Sequence, residues 1–152
     1  MNYEALLEEA HHEGLIVKEK PLKYNNGRIK GNKIAIRQDI ETNTEKTCVL
    51  AEELGHHHTS VGDILDMTDT GNRKQERQAR LWGYNKLIGL TGIINAFQAG
   101  CQSRHEIAEK LDVTEEYLQE CIDCYRDKYG EYVEVDNYMI CFIPNLAVME
   151  KV

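Results

Sequence analysis

The chain has 152 residues, 41% of them apolar and 29% charged, an ordinary globular composition with enough length for one domain and a buried core. A formal net charge of -8 repels phosphate backbones and anionic lipid, which argues against nucleic acid and membrane as main partners, although a local basic patch can still exist. The N-terminus, MNYEALLEEAHHEG, is acidic and amphipathic rather than basic and then apolar, and the longest apolar stretch, near 87–96, is too short to span a bilayer. The expected compartment is therefore the reducing cytoplasm, where the five cysteines would stay free thiols.

In chain order, Tyr3, Leu6, Leu7 and Ala10 fall at helical spacing and predict a helix over 2–13, stopped by Gly14. Strand-like segments follow at 15–20 and 33–37. A hairpin is expected to pass through Asn25, Asn26 and Gly27 and then Gly31 and Asn32. Ile34 and Ile36 alternate with Lys33, Ala35 and Arg37, as a sheet with one buried face requires, and this small sheet is expected to be antiparallel. Thr42, with Glu45 three residues on, is a capping box that opens a helix running to about His57 or His58. A turn-like stretch covers 60–71. A longer helix then begins near Asn72 and runs toward Leu90, its end weakened by Gly89 and Gly92, and a further apolar segment, 93–99, stops at Gly100.

Ser103 and Glu106 form another capping box, which opens a short helix with Ile107, Ala108 and Leu111 inward. Asp112 and Val113 turn the chain. Thr114 then caps a helix whose apolar face is Tyr117, Leu118, Cys121, Ile122 and Tyr125, with Val113 and Leu118 spaced as a hydrophobic staple. The pair has a helix-turn-helix outline. Segments 132–135 and 138–143 read as a closing hairpin, and the fold class is α+β.

The chemistry concentrates on the helix after Thr42. Glu52 and His56 stack one turn apart, and Glu53 lies beside them, about 100° around the axis. That is the layout of H-E-x-x-H sites, where the outer residues bind zinc and the inner Glu handles the proton; here Glu52 replaces the first His. The alternative register, Glu53 with His57, puts Leu54 in the general-base position and so has no acid–base residue. His105, Glu106 and Glu109 spell H-E-x-x-E but coincide with a capping box, so they are assigned to structure. The C-x-x-C of Cys121 and Cys124 has no second pair and lies on an amphipathic helix, again a structural reading.

Glutamate pairs and histidine runs are common on solvated helices, so the case needs a third ligand. Glu76 lies twenty residues beyond His56. On a second helix it shares a face with Ala79 and Gly83, whose small side chains let two helices approach closely. Otherwise Glu76 is one more exposed charge in an RKQER run, and His57 and His58 are surface.

The stretch Leu50 to His57, LAEELGHH, resembles the L-A-H-E-L-G-H-x segment of ImmA/IrrE-type metallopeptidases. Glu76, Ala79, Trp82 and Gly83 resemble the downstream E-x-x-A-x-x-F-A segment, and Val113-Thr114-Glu115-Glu116 resembles a later V-T/S-E-E element. The resemblance implies one zincin-like metallopeptidase domain over 1–152, with a metal-site core over 1–100 and a helical segment and hairpin over 101–152. It implies Glu52 as first ligand, His56 as second, Glu76 as third and Glu53 as general base. Zinc is the expected ion; the carboxylate-rich set also suits manganese. Such proteins are cytoplasmic and often carried by prophages or mobile elements. The implied partner is a helix-turn-helix repressor, cleaved by this anti-repressor.

Glu52 is the serious departure. Two carboxylates and an imidazole cancel a divalent charge, whereas a His-His-Glu set leaves one positive charge, so water and carbonyl should be polarised less. The alternative is a non-catalytic anti-repressor that sequesters its partner. A DNA-binding reading of the 103–128 segment fails because Glu115, Glu116, Glu120, Asp123 and Asp127 crowd its second helix. Tyr84 and His57 are candidate helpers for the oxyanion.

Overall fold

The computed structural model describes residues 1–59 and 69–151, which fall into two units, Met1–Lys86 and Leu87–Val152, each with its own sheet. In the first unit, helix α1 (Tyr3–His12) starts where Asn2 Oδ1 accepts the Ala5 N–H at 2.8 Å and buries Tyr3, Leu6 and Ala10. Gly14, at φ +81°, turns the chain into β1 (Ile16–Lys20). Strands β2 (Gly27–Lys30) and β3 (Lys33–Arg37) pair antiparallel about Gly31 and Asn32 as expected. β1, however, lies parallel to β3, and the order is β1-β3-β2.

The sheet is therefore mixed, where an antiparallel one was expected. Asn25 and Asn26 do not turn a hairpin between β1 and β2, because these strands are not neighbours. Arg37 holds the connection in place. Its Nε donates to Leu22 O at 3.0 Å, while Nη1 and Nη2 reach Asn26 Oδ1 at 3.1 Å and Lys23 O at 2.8 Å. The alternation on β3 holds: Ile34 and Ile36 are buried, and their neighbours face outward.

Helix α2 (Asn43–Thr59) begins at the expected cap, with the Glu45 N–H donating to Thr42 Oγ1 at 3.2 Å. A cap of this kind contributes about 1 kcal/mol. The helix buries Leu50, Ala51 and Leu54 in the core formed with Ile34, Ile36 and Leu6. The turn-like stretch expected at 60–71 lies, over 60–68, outside the described residues. Helix α3 (Asp69–Leu87) begins earlier than Asn72. It stops short of Leu90, since Gly89 takes φ +67°.

The second unit holds α4 (Gly89–Gln98), which starts before the expected 93–99 segment and ends ahead of Gly100, at φ +89°. Helices α5 (Arg104–Leu111) and α6 (Glu115–Tyr129) carry the expected caps: Ser103 Oγ accepts from Glu106 N at 3.1 Å and Thr114 Oγ1 from Tyr117 N at 3.0 Å. Asp112, at φ 56°, makes the turn between them. All five apolar-face residues of α6 are buried, and so is Val113 of the staple. Burial pushes the Cys121 thiol well above its usual range, which suits a packing residue rather than a reactive one.

The closing hairpin, β4 (Tyr132–Val135) and β5 (Tyr138–Cys141), is extended by β6 (Ala147–Glu150) into a three-stranded antiparallel sheet. The third strand was not expected, since the last segment predicted from the sequence is the hairpin ending at Ile143. Among the described residues no helix is long and apolar enough to cross a membrane.

Candidate metal centre

Two helices of the first unit supply the site. On α2 the 3.6-residue period places Glu52 and His56 on one face and turns Glu53 inward, where only 8% of it is exposed. On α3, Glu76 and Arg80 are one turn apart. The crossing of the helices is tight because Gly55 has no side chain. A Cβ there would overlap the Ala79 carbonyl oxygen and lie 2.8 Å from its carbonyl carbon. Ala79 itself is fully buried. The small residues expected on α3 are thus matched by a small residue on α2, one position before His56.

This approach brings one ligand atom each from Glu52, His56 and Glu76 within 4.8 Å of one another. His56 Nε2 lies 3.3 Å from Glu76 Oε2. Ligands at about 2.1 Å in a tetrahedral zinc site sit about 3.4 Å apart, so this pair already has coordination spacing. Oxygen and imidazole-nitrogen donors, two carboxylates and one ring, are an acceptable set for zinc or manganese. The residues fit a divalent ion.

Arg80 is the group that sequence reasoning missed. Its Nε stands 3.5 Å from Glu52 Oε1 and 3.5 Å from Glu76 Oε1, between the two carboxylates. The spacing from Glu76, i to i+4, is readable in the sequence, but its reach to Glu52 depends on the helix crossing. Burial raises the pKa of Glu52, a side-chain hydrogen bond with Glu76 adds to that, and the Arg80 guanidinium opposes both.

Glu53 lies behind the cluster against β2. A Cβ on Gly27 would lie 3.0 Å from its Oε1 and 2.7 Å from Val49 Cγ1, so β2 can approach α2 here only as glycine. Burial first, then the Glu52 and Glu76 carboxylates, raise the Glu53 pKa from 4.5 to about 7. A carboxylate poised near neutrality can both take and return a proton.

Of the remaining candidates, His57 is exposed and stands edge-on to His58, with ring centroids 5.0 Å apart. His58 is tied into the unit: it stacks on Trp82 at 4.6 Å and 15°, and its Nε2 lies 3.0 Å from Glu13 Oε2. Tyr84 is buried one turn beyond Arg80, close enough for the two to interact electrostatically. His105 pairs with Glu109 and Glu115 on the second unit, as the structural reading of that string requires.

A family model described as the IrrE N-terminal-like domain, peptidase M78, matches residues 12–122, a span that runs from the end of α1 into α6 and includes every residue of the cluster. No curated protein and no solved structure matches the chain. On a match that covers well over half its length, the chain belongs to the IrrE N-terminal-like family of M78 peptidases.

Proposed function

We propose that this chain is a metal-dependent endopeptidase with an altered ligand set, in which Glu52, His56 and Glu76 hold one divalent ion and Glu53 is the acid–base residue. Membership of the family supports a metallopeptidase-type or IrrE-like function. The observation that carries the finer reading is the convergence of three ligand atoms within 4.8 Å beside a buried Glu53 with its pKa near 7. A divalent ion bound there would supply Lewis acidity toward a peptide carbonyl and a water. The chain itself supplies the proton transfer: Glu53 accepts a proton from the attacking water and delivers it to the leaving amine.

Arg80 bears on the departure at Glu52. Replacing a neutral imidazole by a carboxylate removes one unit of positive charge from the site, and the guanidinium 3.5 Å from that carboxylate returns one. Net local charge then equals that of a His-His-Glu site, which favours retained reactivity. The expected ion is zinc, with manganese the alternative. The substrate we propose is a helix-turn-helix repressor of a prophage or mobile element, met in the cytoplasm.

The second reading is a non-catalytic anti-repressor that sequesters the same partner. The Glu52–Arg80 ion pair favours it to the extent that Arg80 serves as the permanent cation of the cluster. Metal analysis of protein purified without added metal separates the two when combined with repressor co-expression. Stoichiometric metal, with repressor cleavage lost in Glu53→Gln, supports the peptidase. Derepression that survives both Glu53→Gln and chelation supports sequestration.

A further inference from the structure

The outward face of the β1-β3-β2 sheet is the opposite of the chain in charge. Residues 15–38 carry seven cations (Lys18, Lys20, Lys23, Arg28, Lys30, Lys33, Arg37) and one acid, Glu19, in a chain of net charge -8. Strand register sorts them. Lys18 and Arg28 both pair with Ala35, one from each side, while Ile16 and Lys30 both pair with Lys33. These side chains alternate with Ile34 and Ile36, which point into the core, so they rise from the outer face.

Ala35, a single methyl on the central strand, leaves a low floor between two taller basic walls. The result is a trough of about 420 Å³, lined by Ile16, Leu22 and Ala35 along with lysine and arginine side chains. Ile16 is 45% exposed at one end. Glu19 lies on the other face of β1 and is engaged by Lys46 of α2. Arg37 is occupied with the 22–26 loop and Asp39. Among the described residues, Lys18, Lys20, Arg28, Lys30 and Lys33 form no ion pair with a carboxylate of the chain.

We propose that this trough is a docking site for an acidic, aliphatic-containing segment of a protein partner, with an aliphatic side chain seated over Ala35 and carboxylates on Lys18 and Arg28. Apolar floor and cationic walls are complementary to that chemistry. A nucleic acid fits less well: no aromatic lines the trough to stack a base, and the rest of the chain is more acidic than its average and repels phosphate. The site lies on the sheet face away from α2, so it stands whether or not the metal cluster is catalytic.

Fluorescence anisotropy of the full chain with a labelled peptide of alternating Glu and Leu tests it, beside a Gln/Leu peptide, a labelled single-stranded oligonucleotide and a duplex. Binding of the Glu/Leu peptide alone is expected. It should weaken at least tenfold in Lys18→Glu/Arg28→Glu and in Ala35→Leu, which fills the trough, and weaken with added salt. Both variants alter exposed or half-exposed positions and should bind metal as the parent does, which separates failure here from failure of the peptidase reading. The proposal is overturned by absence of Glu/Leu binding, by binding indifferent to both variants, or by face-dependent binding of an oligonucleotide in place of the peptide.

Discussion

Gly55→Ala tests the helix crossing on which the metal cluster depends. The added methyl would overlap the Ala79 carbonyl oxygen and sit 2.8 Å from its carbon and 3.1 Å from its Cα, all backbone atoms that cannot rotate away. The helices must separate or shift, a strain of about 3 kcal/mol by analogy with overpacked cores. Alanine offsets part of this through its helix propensity, about 1 kcal/mol better than glycine. A net loss of about 2 kcal/mol is expected, lowering the thermal midpoint by roughly 4–8 °C. The same displacement carries His56 Nε2 away from Glu76 Oε2, now 3.3 Å apart, so affinity for zinc should fall at least tenfold. Urea unfolding and a competitive zinc titration measure the two effects. A variant as stable as the parent, or more stable, would refute the tight crossing, because propensity alone predicts a gain.

Glu53→Gln should keep metal and lose about 10²–10⁴-fold in hydrolysis, read by metal analysis and a cleavage assay. The same residue sets a pH dependence in the metal-free protein. Its folded pKa of about 7 exceeds the unfolded 4.5, so the folded state holds the proton more tightly. That stabilisation is complete below pH 4.5 and is lost as pH rises toward 7, by about 3 kcal/mol in all; urea midpoints across that range should show the fall, and Glu53→Gln should flatten it. Arg80→Gln removes a like charge beside the divalent ion, worth about 1.7 kcal/mol at about 5 Å in a water-like dielectric, so metal affinity should rise roughly fifteenfold at low salt while turnover falls. Unchanged affinity in calorimetry would show that Arg80 does not sense the ion. Glu52→His should bind zinc at least tenfold tighter than the parent, and equal affinity would mean that position 52 is not a ligand.

Periodicity and capping made most of the fold legible. Tyr3, Leu6 and Ala10 on α1, the Thr42, Ser103 and Thr114 caps, and the whole apolar face of α6 stand as the residues imply. These are local signals, settled within one or two turns of chain. The errors fall where non-local pairing decides. The parallel partnership of β1 with β3 goes with long-range contacts, Arg37 bonding a loop eleven or more residues away, and no local pattern encodes it. Strand β6 is four residues with a single half-buried position, Val148, too weak a pattern to stand out.

The same division applies to the site. Glu52, Glu53 and His56 share one helix, so their spacing could be read directly. Glu76 needed a second helix and the small residues that let it close. Arg80 needed the finished crossing, since only there does a cation on α3 meet a carboxylate on α2. Yet Arg80 bears most directly on whether Glu52 is a defect. Without it, the ligand set would cancel the ion's charge and leave little to polarise a carbonyl. With it, one positive charge remains at the cluster, supplied by a guanidinium that holds both carboxylates at 3.5 Å. The two substitutions should therefore act as a pair: Glu52→His combined with Arg80→Gln restores the parent's net charge and should return turnover toward the parent level, while Arg80→Gln alone should raise metal affinity and lower turnover.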